Sequence, residues 1–121
     1  GMYREALVSL KREGIKGANE IREMMAGFRT NPPTSLGGEA IAEVRDHLEG
    51  WNGMPPSNVV QFMTADGAMV TARPSGTEPK IKFYFSVRAD WLEGVPHAEA
   101  WQQLGSRIAA LGKDLGVEVS V

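Results

Sequence analysis

TARPSGTEPKIKFYFSV, residues Thr71 to Val87, divides into two strand-like runs around the hexapeptide Pro74-Ser75-Gly76-Thr77-Glu78-Pro79. The hexapeptide is too rich in turn and hydroxyl residues to belong to either run. Arg73 ends the first strand. Lys80 and Lys82 begin the second on a shared face, because strand side chains alternate with period two. A planar guanidinium fork, two hydroxyls, a glycine amide and further cations therefore converge on one loop, which is the chemistry of a phosphate cradle. Glycine lets the backbone turn and approach an anion closely, so that successive N–H groups form a nest. The competing reading is an ordinary polar turn between strands.

Outward from this stretch, the clearest local unit is two runs, Val59 to Thr64 and Ala68 to Arg73, joined at Asp66-Gly67. Asp-Gly between alternating apolar residues is a strong hairpin signal. Lys80 to Arg88 then alternates Ile81, Phe83, Phe85 and Val87 with Lys80, Lys82, Tyr84 and Ser86, one face apolar and one polar. Three such strands predict an antiparallel meander. Ahead of them, Ile21, Met24, Met25 and Phe28 fall at i, i+3, i+4 and i+7, which predicts a helix over Asn19 to Arg29 with Asn19 as N-cap. Asn31-Pro32-Pro33 stops it. Behind them, Trp101, Leu104, Ile108, Leu111 and Leu115 form a stripe that predicts a helix over Ala98 to Leu115, with Pro96 at its first turn and Gly116 as its stop. Asp90 to Pro96 reads as a loop, and the alternating Val117, Val119 and Val121 as a short edge strand. Met2 to Leu10 is ambiguous between strand and short helix, and Gly14 and Gly17 break its pattern.

RPSGTEPKIK, residues 73–82, resembles the signature near the C-terminus of the phosphoglucomutase/phosphomannomutase family, the α-D-phosphohexomutases. ANEIREMMAGFR, then NPPTSLGG, then SNVVQF agree with that family in order, so the likeness runs from about Tyr3 through Val87. The resemblance implies the last of four domains of a sugar-phosphate mutase, the one that clamps the substrate's phosphate. Residues 1–16 then become a connector from a preceding, absent domain, poorly anchored here, and 17–121 the C-terminal domain. It also resolves Glu39 to Glu49, where Ile41, Val44 and Leu48 are spaced for a helix but the family has a strand opened by Gly37-Gly38. The expected architecture is α+β: a four-stranded antiparallel sheet with amphipathic helices packed on one face.

The chain has 121 residues, one domain's worth, and a formal net charge of −2, with no global basic field toward nucleic acid or an acidic membrane. A local basic cluster in a mildly acidic chain suits a small anion. Cysteine is absent, which fits a cytoplasmic setting, and no run is long enough to span a membrane. The start at Tyr3-Arg4-Glu5 reads like the interior of a longer protein, hence an excised domain. His47 and His97 lie in no metal-ligand spacing. Ser75 has no adjacent base to make it a nucleophile, and Glu78 reads as shaping the turn or pairing with a nearby cation. Trp51, in a Gly/Pro loop, is either a sugar-stacking residue or a loop residue packed on the core.

What the resemblance carries over is the phosphate clamp: Arg73 as charged fork, Ser75 and Thr77 as hydroxyl donors, Gly76 through its amide, Lys80 at the rim. The implied ligand is a hexose phosphate or phosphate, and the implied reaction interconverts hexose 1-phosphate and 6-phosphate through a bisphosphate. The family's phosphorylated serine, Asp-rich magnesium loop and sugar-binding loop belong to earlier domains. No catalytic residue and no cofactor is therefore assigned to this chain, and magnesium is expected only for the full-length enzyme. The alternative is a stand-alone phosphate-binding or protein-interaction module that reuses the fold.

Overall fold

The structure, a computed structural model, describes residues 1–90 and 94–120. Its elements follow as β1 (Met2–Lys11), α1 (Gly14–Thr30), β2 (Ser35–Leu36), β3 (Glu39–Asp46), β4 (Val60–Thr64), β5 (Met69–Pro74), β6 (Lys80–Ala89) and α2 (His97–Asp114). The strands form one antiparallel sheet in the order β1-β6-β5-β4-β3-β2. The α+β class and the β4-β5-β6 meander hold, but the sheet has six strands, not four.

The two additional strands are the edges. β1 pairs with β6 along its whole length, from Met2 opposite Ala89 to Lys11 opposite Lys80. The N-terminal segment is thus an integral strand and not a poorly anchored one. Its pattern was ambiguous because an edge strand carries charge and exposed apolar residues together. β2 is two residues long, too short for any periodicity. It turns into β3 through Gly37 and Gly38, both at positive φ (60° and 81°), as a two-residue primed turn requires.

β3 is a strand, and a bulge explains its helical spacing. Its register shifts between Ile41 and Glu43, so that Ile41 opposes Thr64 while Val44 opposes Phe62. The extra residue returns positions three apart to the same face of the sheet.

That face is the core. Phe62, Val70, Ala72, Ile81 and Phe83 are fully buried, with Phe85 and Val87 close behind. The register expected for β6 therefore holds, with Ile81, Phe83 and Phe85 inward. Each such side chain contributes about 1.5–3 kcal/mol by leaving water. Both helices cover it. α1 brings Ile21 and Met25, and sets Phe28 edge-on to Phe62 and Phe83 at 5.5 and 6.2 Å. α2 brings Leu104, Ile108 and Leu111.

α1 begins five residues before the expected start, and Asn19 is no cap; its Oδ1 accepts from Arg22. The two glycines that broke the pattern serve the helix start. Gly14 takes a left-handed φ of 67°, and a Cβ on Gly17 would stand 2.7 Å from that of Arg12. α2 ends in a Schellman motif: Val117 N–H donates to Gly112 O at 2.8 Å and Gly116 N–H to Lys113 O at 3.0 Å. Trp101 leaves the expected stripe. It is 43% exposed, with the Arg4 guanidinium 4.5 Å above its ring. No strand forms over 117–120, and Val121 lies outside the described residues. The loop expected over Asp90 to Pro96 falls partly on residues 91–93, which lie outside them as well. Among the described residues no helix is long and apolar enough to cross a membrane.

Candidate functional site

Strands β5 and β6 hold the loop from both sides. Arg73 opposes Lys82, Pro74 opposes Ile81, and Ser75 N–H donates to Lys80 O at 2.9 Å. Within the loop, Ser75 Oγ accepts from the N–H groups of Thr77 and Glu78, each at 3.3 Å, and Lys80 N–H donates to Glu78 O at 2.8 Å. A third tether comes from just past β1, where Arg12 N–H donates to Pro79 O at 2.7 Å. The loop is thus fixed at its base while its crest, Gly76 to Glu78, is exposed.

Gly76 differs from what a turn would need. Its φ is not among the positive ones, and a Cβ there would meet nothing within 4 Å. Neither backbone conformation nor protein packing calls for glycine at this position. Its N–H has no hydrogen-bond partner among the described residues. A Cβ would intrude only on something approaching from outside.

Even-numbered residues of β6 face away from the helices, so Lys80, Lys82 and Tyr84 stand on the open face of the sheet. Arg73 and Lys11 join them by direct cross-strand pairing, Arg73 with Lys82 and Lys11 with Lys80. Like charges directly opposite destabilise a sheet by about 0.2–1 kcal/mol a pair. Among the described residues Arg73, Lys82 and Lys11 make no ion pair. Lys80 Nζ lies 3.8 Å from the Glu78 carboxylate, itself 61% exposed, a pairing worth little. Arg73, Lys80 and Lys82 border a cavity of about 300 Å³ that Pro74, Ser75, Gly76 and Tyr84 also line.

On its other side the loop walls a groove of about 620 Å³ against α1, with Ile21 and Met25 in the lining and Arg22, Arg29 and Asn58 at the rim. Arg29 is neutralised there: it donates to the Asp46 carboxylate at 3.1 Å and to Asn58 Oδ1 at 2.7 Å. Arg22, in the same groove, donates to the neutral Asn19 Oδ1 and makes no ion pair among the described residues, so positive charge is available on both sides of the loop and is densest on the open face.

Of the residues expected at the site, Arg73, Ser75, Gly76 and Lys80 therefore share one cavity. Thr77 does not line it and borders the α1 groove instead. Lys82, expected among the cations at the loop but not counted in the clamp, lines the cavity, whereas Lys11 stands beside Lys80 across the β1–β6 pairing without lining it. Trp51 borders neither cavity. Its ring lies near His47 and under the Arg45 guanidinium, and its Nε1 is buried without a partner among the described residues. His47 is buried and bonded to Gln61 Oε1 at 2.8 Å. The hydrogen-bonded Glu43 carboxylate raises the Arg45 pKa above its usual value. No group of three or more His, Asp or Glu side chains that could hold a metal exists among the described residues, so the magnesium implied for the full-length enzyme finds no fitting donor set here.

Comparison with known proteins gives a consistent result. The family described as phosphoglucomutase/phosphomannomutase, C-terminal domain, matches residues 15–100. A probable phosphomannomutase of Haemophilus influenzae is 33% identical over 108 residues, covering 80% of this chain and 21% of its own length. A phosphoglucomutase of Staphylococcus aureus is 33% identical over 106 residues, 78% of this chain and 19% of its own. A solved structure from Paramecium, the open form of the exocytosis-sensitive phosphoprotein pp63/parafusin, aligns with the whole chain over 22% of its length at 21% identity and a TM-score of 0.49. The chain spans about a fifth of the length of the curated relatives it matches.

Proposed function

The chain belongs to the phosphoglucomutase/phosphomannomutase family as its C-terminal domain, and on that premise we propose that it is the substrate-phosphate clamp of a hexose-phosphate mutase. The observation that carries this reading is the cavity where Arg73, Lys80 and Lys82 meet Ser75 and Gly76 with almost no compensating carboxylate. Arg73 supplies the bidentate fork, and Ser75 a hydroxyl whose proton is free to point outward while its oxygen accepts from the loop amides. Gly76 supplies an open N–H, and Lys80 electrostatic attraction. Thr77, on the crest, borders the α1 groove and contributes to the clamp only if its hydroxyl swings over the loop.

In this proposal the domain works with preceding domains that hold the phosphoserine, the magnesium and the sugar-reading loop, in a cytoplasmic enzyme interconverting hexose 1- and 6-phosphates. Residues 1–16 are the entry from such a domain, here ordered as β1 and the start of α1. The share of the relatives' length that the chain covers supports a part of a larger enzyme over a stand-alone module. The clamp's contribution to catalysis is positioning: a phosphate held at a fixed point converts an encounter into an oriented attack. The chain alone is accordingly inactive. Supplied with glucose 1-phosphate, magnesium and a bisphosphate activator, it gives no turnover above buffer, yet binds phosphate near the millimolar range, about −4 kcal/mol. Turnover by the pure chain would contradict its role as a clamp, and the absence of any phosphate binding would remove the site.

A further inference from the structure

The two edges of the sheet differ sharply. β2 closes one edge with only two residues, Ser35 and Leu36. β1 closes the other with ten, and no strand pairs with its outer side among the described residues. Natural sheets guard such an edge with brevity, proline, bulges or charge. β1 has no proline, pairs with β6 without a register shift, and carries no charge from Ala6 to Leu10.

The ladder shows which backbone groups are left over. Arg12 N–H donates to Pro79 O at 2.7 Å, one step beyond the pairing of Lys11 with Lys80. Hydrogen-bonded pairs alternate along an antiparallel ladder, so the even-numbered residues of β1 bond to β6. Tyr3, Glu5, Leu7, Ser9 and Lys11 aim their N–H and C=O groups outward. Among the described residues one of these groups is engaged, the Lys11 carbonyl, which accepts from the Arg12 guanidinium at 3.2 Å. Apolar surface gathers along the same edge. Tyr3 and Leu7 are 61% and 54% exposed, Tyr84 stands directly across from Leu7, and the exposed Trp101 lies under Arg4 on the helix side. On the inner face Ala6, Val8 and Leu10 are only half-buried, whereas Ile81, Phe83 and Phe85 of β6 are sealed. Both faces beside the edge are incompletely covered.

We infer that this edge pairs with the same edge of a second copy of the chain, β1 antiparallel to β1, joining two sheets into one. A two-fold axis at Leu7 is the register that matches every outward residue: Leu7 with Leu7, Glu5 with Ser9, Tyr3 with Lys11. It forms about ten hydrogen bonds, two for each pair. The side chains agree with it. Ala6 meets Val8, Arg4 meets Leu10, no like charges face each other, and Glu5 has the other copy's Lys11 on the diagonal. Moving the axis to Val8 would set Arg4 against Arg12, and moving it to Ala6 would leave Lys11 beyond the end of the strand. The pairing is isologous and closes on itself. The short β2 edge offers too little to extend it, so assembly stops at a dimer. The two β5–β6 loops fall at opposite ends of the shared edge, and the dimer is independent of the anion site.

The test is sedimentation equilibrium of the full chain over a range of concentrations, joined to amide hydrogen exchange. A reversible monomer–dimer equilibrium is expected. In the dimer the amides of Tyr3, Glu5, Leu7, Ser9 and Lys11 should be protected, and dilution should release them while the even-numbered amides of β1 stay slow. Leu7→Pro removes an outward N–H where an edge strand tolerates proline. Each copy then loses one bond at the axis, and the dimer should weaken about ten- to a hundred-fold. Leu7→Lys gives an independent reading if Leu7→Pro fails to fold, since it sets like charges face to face at the axis. A chain that sediments as a monomer at every concentration would overturn the inference. So would a dimer whose odd-numbered β1 amides exchange as fast as in the monomer, or a folded Leu7→Pro that dimerises like the wild type.

Discussion

Strand β5 has a turn at each end, and the two turns use their polar groups in opposite ways. At the β4–β5 end, Thr64 Oγ1 donates to Asp66 and accepts from Ala68 N–H at 3.0 Å, while Asp66 pairs with Arg107, which also donates to Arg88 O at 2.8 Å. Gly67 sits at a φ of 88°, and a Cβ on it would meet Arg88 Nε at 2.9 Å. Every feature there is explained by contacts inside the protein. At the β5–β6 end, Gly76 has neither a left-handed φ nor a neighbour in the way, and Arg73 faces Lys82 with no ion-pair partner among the described residues. A structural turn satisfies itself, whereas this loop is left unsatisfied in a manner that an anion completes.

The contrast is sharpest in stability. Gly67→Ala forces a left-handed non-glycine residue against Arg88, and should cost about 1–3 kcal/mol in urea denaturation. Gly76→Ala should change stability by less than about 0.5 kcal/mol while weakening the response to phosphate. Equal destabilisation by both would erase the distinction. A smaller effect concerns pH. The second ionisation of a phosphate ester lies at about pH 6, and the dianion is the form the cations favour, so affinity should rise several-fold between pH 5 and 7.5 and be lost as pH falls. A flat profile would mean the cations do not face the anion. The smallest effect is Lys82→Gln. Removing one of two opposed cations should stabilise the free protein by about 0.2–1 kcal/mol yet lower phosphate affinity, so that thermal melts without and with phosphate move in opposite directions.

Much of this was legible in the sequence because it rests on local periodicity. The β4–β6 meander follows from strict alternation, and both helices follow from their apolar stripes. What stayed hidden depends on pairing between distant segments. β1 carries Leu7 and Val8 side by side, and only its partner β6 decides which faces the core. The helical look of Ile41 and Val44 comes from a bulge, which is invisible until β4 sets the register. That Lys11 stands opposite Lys80 could not be read before β1 was placed. Thr77 entered the clamp as one of the loop's two hydroxyls and through the family resemblance, and only the structure shows that the loop divides two cavities with Thr77 on the α1 side.

The central claim is that the β5–β6 loop is an anion site centred on Arg73, and one titration tests it most directly. Phosphate is added to the wild-type chain and to Arg73→Ala while the amide resonances of Ser75 to Glu78 are followed. Charge-assisted hydrogen bonds are worth about 1.5–3 kcal/mol each. The wild type should therefore show saturable shifts near the millimolar range that weaken with added salt. Arg73→Ala should show none while keeping its dispersed spectrum, since an exposed cation at a strand end contributes little to the core. Arg73→Lys should recover only part, having lost the fork. Identical responses of wild type and Arg73→Ala would contradict the account and reduce the loop to a turn.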